Sequence, residues 1–293
     1  MLMLKGAAII ADNAISGGQF PVWIGMTDGR QTSESLPAPR RVHILGARVD
    51  DVTWDEALAY IAHFVASEHP HQIMTPNPEF IMRARRDPAF RSLLDRVDLA
   101  PADGVGLKWA ARLLGVQVRG IVPGSDLVER LAAVGMGSGQ RWFLLGAAEG
   151  VAAEAAAKLR ERYPGLQVVG TWSGVPDPEQ DDDICRRIEM ETSIDVLLVA
   201  YGAPRQDEWI ARNQPRLRIP VAIGVGGTFD VIAGHSRRPP RFVKRLNLIW
   251  LFRLLTEPWR WRRQLALAHF AVLVVRESLR RQRKQRQSVV GRR

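Results

Sequence analysis

Between residues 42 and 225, short apolar runs alternate with stretches long enough for several helical turns, and this alternation narrows the fold more than any other feature. The runs lie at 42–46, 72–75, 97–100, 141–146, 167–170, 195–199 and 221–225. Trp142-Phe143-Leu144-Leu145 and Val196-Leu197-Leu198-Val199 are apolar at consecutive positions. A strand with one wet face would alternate; a continuous run fits a strand covered on both sides. The intervening segments read as helices. Thr53 is placed to cap one, with Glu56 three residues on and Ala57, Tyr60, Ile61 and Phe64 at helical spacing. Others are predicted over 80–86 and 105–114, after Ser125, through the alanine-rich stretch before Tyr163-Pro164-Gly165, over 183–191 and from Gln206. The pattern predicts an α/β fold with a mostly parallel sheet and helices on both faces.

The two ends of the chain differ from this middle. Residues 1–39 mix Gly, Ser and Pro with scattered apolar residues and are expected to be a flexible extension, leaving 40–236 as the α/β domain. The N-terminus lacks the leading basic segment and full apolar core of a signal peptide. The final segment, 237–293, carries +15 of the chain's formal charge of +10, against −5 for the first 236 residues. A basic tail on a mildly acidic body binds phosphate, on nucleic acid or at an anionic membrane surface. Here the basic residues are interleaved with Trp250, Trp259, Trp261 and the apolar block 265–275, which suits a lipid headgroup interface better than a nucleic-acid groove. That block is too short to span a bilayer. The tail therefore reads as a membrane-binding appendage, and the lone Cys185 fits a cytoplasmic setting.

In open parallel sheets, ligands sit beyond the carboxyl ends of the strands. Four such ends carry polar residues or glycines. Thr75-Pro76-Asn77-Pro78-Glu79 could hold a sugar or phosphate, although alone it reads more readily as an Asx turn opening a helix. In Pro101-Ala102-Asp103-Gly104 the carboxylate could cap a helix or serve as a general base; spacing leaves both open. Gly202-Ala203-Pro204-Arg205-Gln206 combines a glycine, a turn-fixing proline and a Gln at a helix start. The segment 224–230 has glycines directly after a strand but matches neither the dinucleotide fingerprint nor a P-loop. Asp181-Asp182-Asp183 contains a D-x-D spacing, yet its position reads as an acidic helix start. No metal site and no cofactor are expected.

Taken in order, these segments resemble the WecG/TagA/CpsF family, glycosyltransferase family twenty-six. Thr75-Pro76-Asn77, Ala102-Asp103-Gly104, Pro123-Gly124-Ser125-Asp126, 202–206, 224–230, Arg237-Arg238-Pro239-Pro240, 250–254 and Glu257-Pro258-Trp259-Arg260 follow the family's sequence. The resemblance covers about residues 42–263. It implies a Rossmann-like body with a C-terminal membrane-binding appendage and inverting transfer from a UDP-sugar to a polyprenyl-pyrophosphate-linked acceptor. By position, Asp103 resembles the catalytic base; Thr75, Asn77 and Gln206 line the pocket; Asp230 lies near the nucleotide; Arg253, Arg260 and Arg263 complete the site from the appendage.

Three positions depart from the pattern. Ile121 stands where the family often has Arg, leaving a pocket cation missing unless Arg119 substitutes; Gln206-Asp207 replaces Gln-Glu; and Ile249 precedes the appendage Trp in place of Glu. These bear on donor or acceptor identity. The resemblance favours a protein peripheral on the inner face of the plasma membrane, without a nucleic-acid partner, and leaves homo-oligomer formation open. A nucleic-acid-binding protein and a nucleotide-dependent oxidoreductase are the competing readings, and the missing dinucleotide fingerprint weakens the second.

Overall fold

The computed structural model describes residues 36–236, Pro240, Val243, Phe252 and 261–290. Its centre is a five-stranded parallel sheet in the order β3-β7-β6-β4-β5, formed by β3 (His71–Ile73), β4 (Arg141–Gly146), β5 (Gln167–Trp172), β6 (Val196–Ala200) and β7 (Val221–Gly224). Successive residues of these strands enter opposite layers, as consecutive apolar positions require. Trp142 and Leu144 of β4, Val196 and Leu198 of β6, and Val221 and Ile223 of β7 join one cluster. Phe143, Leu145, Leu197, Val199 and Ala222 join the other. The first layer is closed by α1 (Trp54–Val65), α5 (Gly124–Ser138), α6 (Val151–Arg162) and α9 (Thr228–Ala233). The second is closed by α7 (Asp181–Glu189) and α8 (Arg205–Leu217). The cap of α1 is a capping box: Thr53 accepts from Glu56 N and Glu56 accepts from Thr53 N.

Three readings of the first third of the chain need correction. The run 42–46 does not join the parallel sheet. β1 (Arg41–Ile44) turns at Leu45 and Gly46, both at positive φ, and pairs antiparallel with β2 (Ala47–Asp50) in a separate hairpin. The predicted helix over 80–86 is one of two: α2 (Pro78–Arg86) is followed at once by α3 (Pro88–Arg96). Asp87 ends the first and caps the second, accepting from Ala89 N and Phe90 N. The apolar run 97–100 makes only isolated bridges, Ile73↔Leu99 and Asp50↔Pro101. Backbone bonds hold part of it, from Asp98 N to the Gln72 carbonyl and from Met74 N and Asp50 N to the carbonyls of Leu99 and Ala100, and buried side chains take further polar groups. Arg48 donates to the carbonyls of Asp95, Val97 and Asp98, and Asp50 accepts from Ala100 N.

The hairpin, α2, α3 and α4 (Val105–Leu113) share a third apolar cluster, and the last helix, α10 (Trp261–Val290), belongs to it. Phe270 and Val274 of α10 are buried there with Met74, Ala102 and Leu107. Ser278 Oγ and Arg281 Nη1 of α10 donate to the carbonyls of Leu113 and Leu114 (2.7 and 2.9 Å). The block 265–275 is therefore only partly available to a membrane: Leu265, Val272 and Val275 are exposed, while Phe270 and Val274 complete the core. Among the described residues no helix is long and apolar enough to cross a bilayer.

Candidate active site

All five strands run the same way, so their carboxyl ends share one edge of the sheet, and the candidate residues gather at its β3-β7-β6 side. Thr75 leaves β3 and is buried against the start of α5; a Cβ on Gly124 would lie 3.0 Å from its Oγ1. Asn77 caps α2, with Oδ1 accepting from Glu79 N (2.9 Å) and Phe80 N (3.2 Å). The Asx geometry expected of the bare sequence is thus present, and any sugar contact by Asn77 falls to the rest of its amide.

Asp103 is held beside this loop by its backbone, whose N–H donates to the Pro76 carbonyl (2.8 Å). The next hydrogen bond, from Val122 N to the Ala102 carbonyl (2.8 Å), brings in the approach to α5. The cap position of α4 is Gly104, at φ +95°, and it carries no side-chain cap. Gly104, not Asp103, thus occupies the cap position, and Asp103 is half-buried with its backbone beside the loop that carries Thr75 and Asn77.

Gln206 enters from α8. It is buried, and its Oε1 accepts from Gly226 N (2.8 Å) just past β7. Because Ile73 of β3 pairs with Ile223 of β7, the ends that carry Thr75 and Gly226 are adjacent. Gln72 Nε2 of β3 also donates to the Asp207 carbonyl (2.9 Å), tying the first turn of α8 to the strand that leads to Thr75. Asp230 lies half-buried in the first turn of α9, after the glycine loop. Arg253 and Arg260 lie outside the described residues, as does the side chain of Arg263 in the first turn of α10. The same holds for Ile249.

Arg119 does not replace the cation missing at Ile121. Its guanidinium pairs with Glu56 (2.8 Å) and Asp51 (3.3 Å) at the start of α1, while Ile121 packs on the third apolar cluster. The acids Asp181, Asp182 and Asp183 bond Arg212, Arg216 and Arg186 respectively, as expected of a solvated helix start.

Two features here have no linear signal. Gly224 must lack a side chain, because a Cβ would lie 2.6 Å from Gln206 Nε2 and 2.6 Å from Asp207 Oδ1. Asp207 itself is fully buried, and neither carboxylate oxygen has a well-formed hydrogen bond among the described residues. Burial, reinforced by the charge of Glu208, lifts its pKa from 3.8 to about 8, so it is held neutral at pH 7. An acid whose folded pKa exceeds its unfolded one favours folding least at high pH: stability falls as pH rises between the two values. Asp207→Asn removes this titration. Relative to the parent, the variant should gain stability from pH 5 to pH 8, on the order of a few kcal/mol at most. Urea unfolding at both values measures the difference; an equal offset at pH 5 and pH 8 would show that the carboxyl is not held neutral.

The sequence profile of the Glycosyl transferase WecG/TagA/CpsF family matches residues 42–284. Among curated proteins, the N-acetylglucosaminyldiphosphoundecaprenol N-acetyl-beta-D-mannosaminyltransferase of Bacillus spizizenii is 32% identical over 204 residues, 70% of this chain and 78% of the relative. The enzyme of the same name from Bacillus subtilis is 30% identical over 215 residues, 73% and 83% of the two chains. The Staphylococcus aureus counterpart is 31% identical over 234 residues, 79% and 90% of the two. The matched span runs from the hairpin through the sheet and well into α10, so it contains the whole carboxyl edge on which Thr75, Asp103 and Gln206 converge, and the chain belongs to the WecG/TagA/CpsF family of glycosyltransferases.

Proposed function

We propose that this chain transfers a sugar from a UDP-sugar donor to a saccharide linked to a polyprenyl diphosphate, with inversion at the anomeric carbon. The observation that carries the reading is the half-buried Asp103, whose backbone is bonded to Pro76 between Thr75 and Asn77 at the carboxyl edge of the sheet, where ligands bind in such folds. The named substrates of the curated relatives point the same way: their acceptor is N-acetylglucosamine on undecaprenyl diphosphate and their transferred sugar N-acetylmannosamine.

In this reading Asp103 takes the proton of the acceptor hydroxyl as that oxygen attacks the anomeric carbon. The new C–O bond forms on the face opposite the departing diphosphate, whose C–O bond breaks with its electron pair leaving on UDP. Growing charge on the diphosphate needs positive groups, and Arg253, Arg260 and Arg263 are assigned that role by position. Thr75, Asn77, Gln206 and Asp230 orient the substrates. The basic C-terminal segment keeps the enzyme on the anionic inner face of the plasma membrane, where a lipid-linked acceptor is displayed.

The test is transfer from UDP-N-acetylmannosamine, UDP-N-acetylglucosamine and UDP-glucose to a synthetic N-acetylglucosaminyl diphosphate lipid. One donor should give a disaccharide lipid of inverted configuration, at a rate unaffected by EDTA. Transfer with none of the three would remove the substrate assignment. Loss with EDTA, reversed by magnesium or manganese, would overturn the metal-free mechanism.

A further inference from the structure

The solvent face of α4 sets large apolar side chains beside cations. It buries Leu107, Ala110 and Ala111 and turns Lys108, Trp109, Arg112 and Leu113 outward, with Trp109 59% and Leu113 50% exposed. Its nine residues contain no acid. Beside it lies α10, joined through the bond from Ser278 to the Leu113 carbonyl. Phe270, Val274 and Ser278 mark the buried side of α10. At seven-residue spacing on the opposite side stand Leu265, Val272 and Leu279, all exposed, with exposed Arg276 and Arg283 on the same side. Large apolar side chains on neighbouring helices, accompanied by cations, mark an interaction surface.

We propose that α4 and the outward side of α10 form one docking surface for an anionic phospholipid bilayer, with Trp109 and Leu113 entering the headgroup region. The inference rests on the membrane reading above and adds to the C-terminal helix an element of the catalytic body. A bilayer fits the chemistry best. An indole and a leucine amid lysine and arginine match the interfacial belt, where apolar bodies insert and cations meet lipid phosphate. A second copy related by a two-fold axis would bring like charges together. A nucleic-acid backbone would engage the cations but leave the apolar residues without a partner.

The placement bears on the reaction. α4 begins at Val105, two residues after Asp103, and Trp109 stands roughly 6 Å along the helix from Val105. A bilayer contact at Trp109 would hold the proposed base near headgroup depth, where the diphosphate of a lipid-linked acceptor lies.

The test uses the full chain carrying Trp109→Cys. Cys185 is buried and its thiol is pushed up to about 11, so an environment-sensitive fluorophore reacts selectively at position 109. Its emission should shift to the blue with phosphatidylglycerol-containing vesicles and stay unchanged with pure phosphatidylcholine. Separately, the Trp109→Ser/Leu113→Ser variant should lose about tenfold or more in vesicle affinity while turning over a short-chain soluble acceptor at the parent's rate. Parent protein that sediments with vesicles while the label stays unshifted would overturn the role of α4 and leave the membrane reading intact. If the parent does not sediment, the membrane reading falls and this inference with it. A shift that follows protein concentration without lipid would identify a copy-to-copy interface, and a shift with duplex DNA alone a nucleic-acid surface; either would overturn the proposal.

Discussion

Asp103→Asn should lower turnover by roughly 10²- to 10⁴-fold while leaving donor affinity nearly unchanged. The substitution keeps the shape of the side chain, and the backbone bond from position 103 to the Pro76 carbonyl does not depend on it, so the loop should stay in place. What is lost is an oxygen able to take the acceptor proton. Steady-state rates with saturating donor and acceptor, alongside calorimetric titration of the donor, separate the two effects. Turnover at the parent's rate would eliminate Asp103 as the base; a large loss of donor affinity would recast it as a binding residue.

The second large effect is expected away from the reacting atoms. Arg48 and Asp50 form a bidentate pair (2.9 and 2.8 Å) whose members are 1% and 0% exposed. Their remaining polar atoms hold the segment from Asp95 to Ala100 that leads into Pro101-Ala102-Asp103. Removing one partner of a buried pair leaves an uncompensated charge, a loss of about 3–5 kcal/mol. Asp50→Ala should cost that much in urea unfolding and reduce transfer as well, because the strap that positions Asp103 loses its anchor. Replacing both members with apolar residues, Arg48→Met/Asp50→Leu, should recover much of the stability, since no orphan charge remains. If the double variant is no more stable than Asp50→Ala, the damage comes from lost hydrogen bonds to the strap and not from the buried charge.

The sheet and the buried side chains at its edge differ in how far they can be read along the chain. β4, β6 and β7 are apolar at consecutive positions because both faces are covered, and the chain states this directly. The run Val97-Asp98-Leu99-Ala100 also reads as a short strand, yet it makes only isolated bridges and Arg48 and Asp50, about 50 residues away, hold part of its backbone, which no local pattern announces. The block 265–275 shows a related ambiguity: apolar residues avoid water whether they meet lipid or protein, so the destination of Phe270 was not legible while its aversion to water was. Among the candidate site residues, Thr75, Asn77, Asp103 and Gln206 stand out because strand ends are where ligands bind. Asp207 does not, since its burial comes from Gly224, brought against it only when β7 is in place.

If the chain docks on a bilayer as proposed, the seating of α10 changes what that contact requires. Phe270 and Val274 share an apolar cluster with Met74 and Ala102, the residues immediately before Thr75 and Asp103. A disordered tail that folds on lipid must lose chain entropy at the moment of contact; a helix already built into the body has lost it during folding. For this part of the chain, encounter with a bilayer then resembles the meeting of two preformed surfaces, so attachment and release can both be rapid. The same shared packing couples failure: local opening that frees α10 also loosens the neighbours of Thr75 and Asp103, so the proposed bilayer contact and the proposed active site would be lost together.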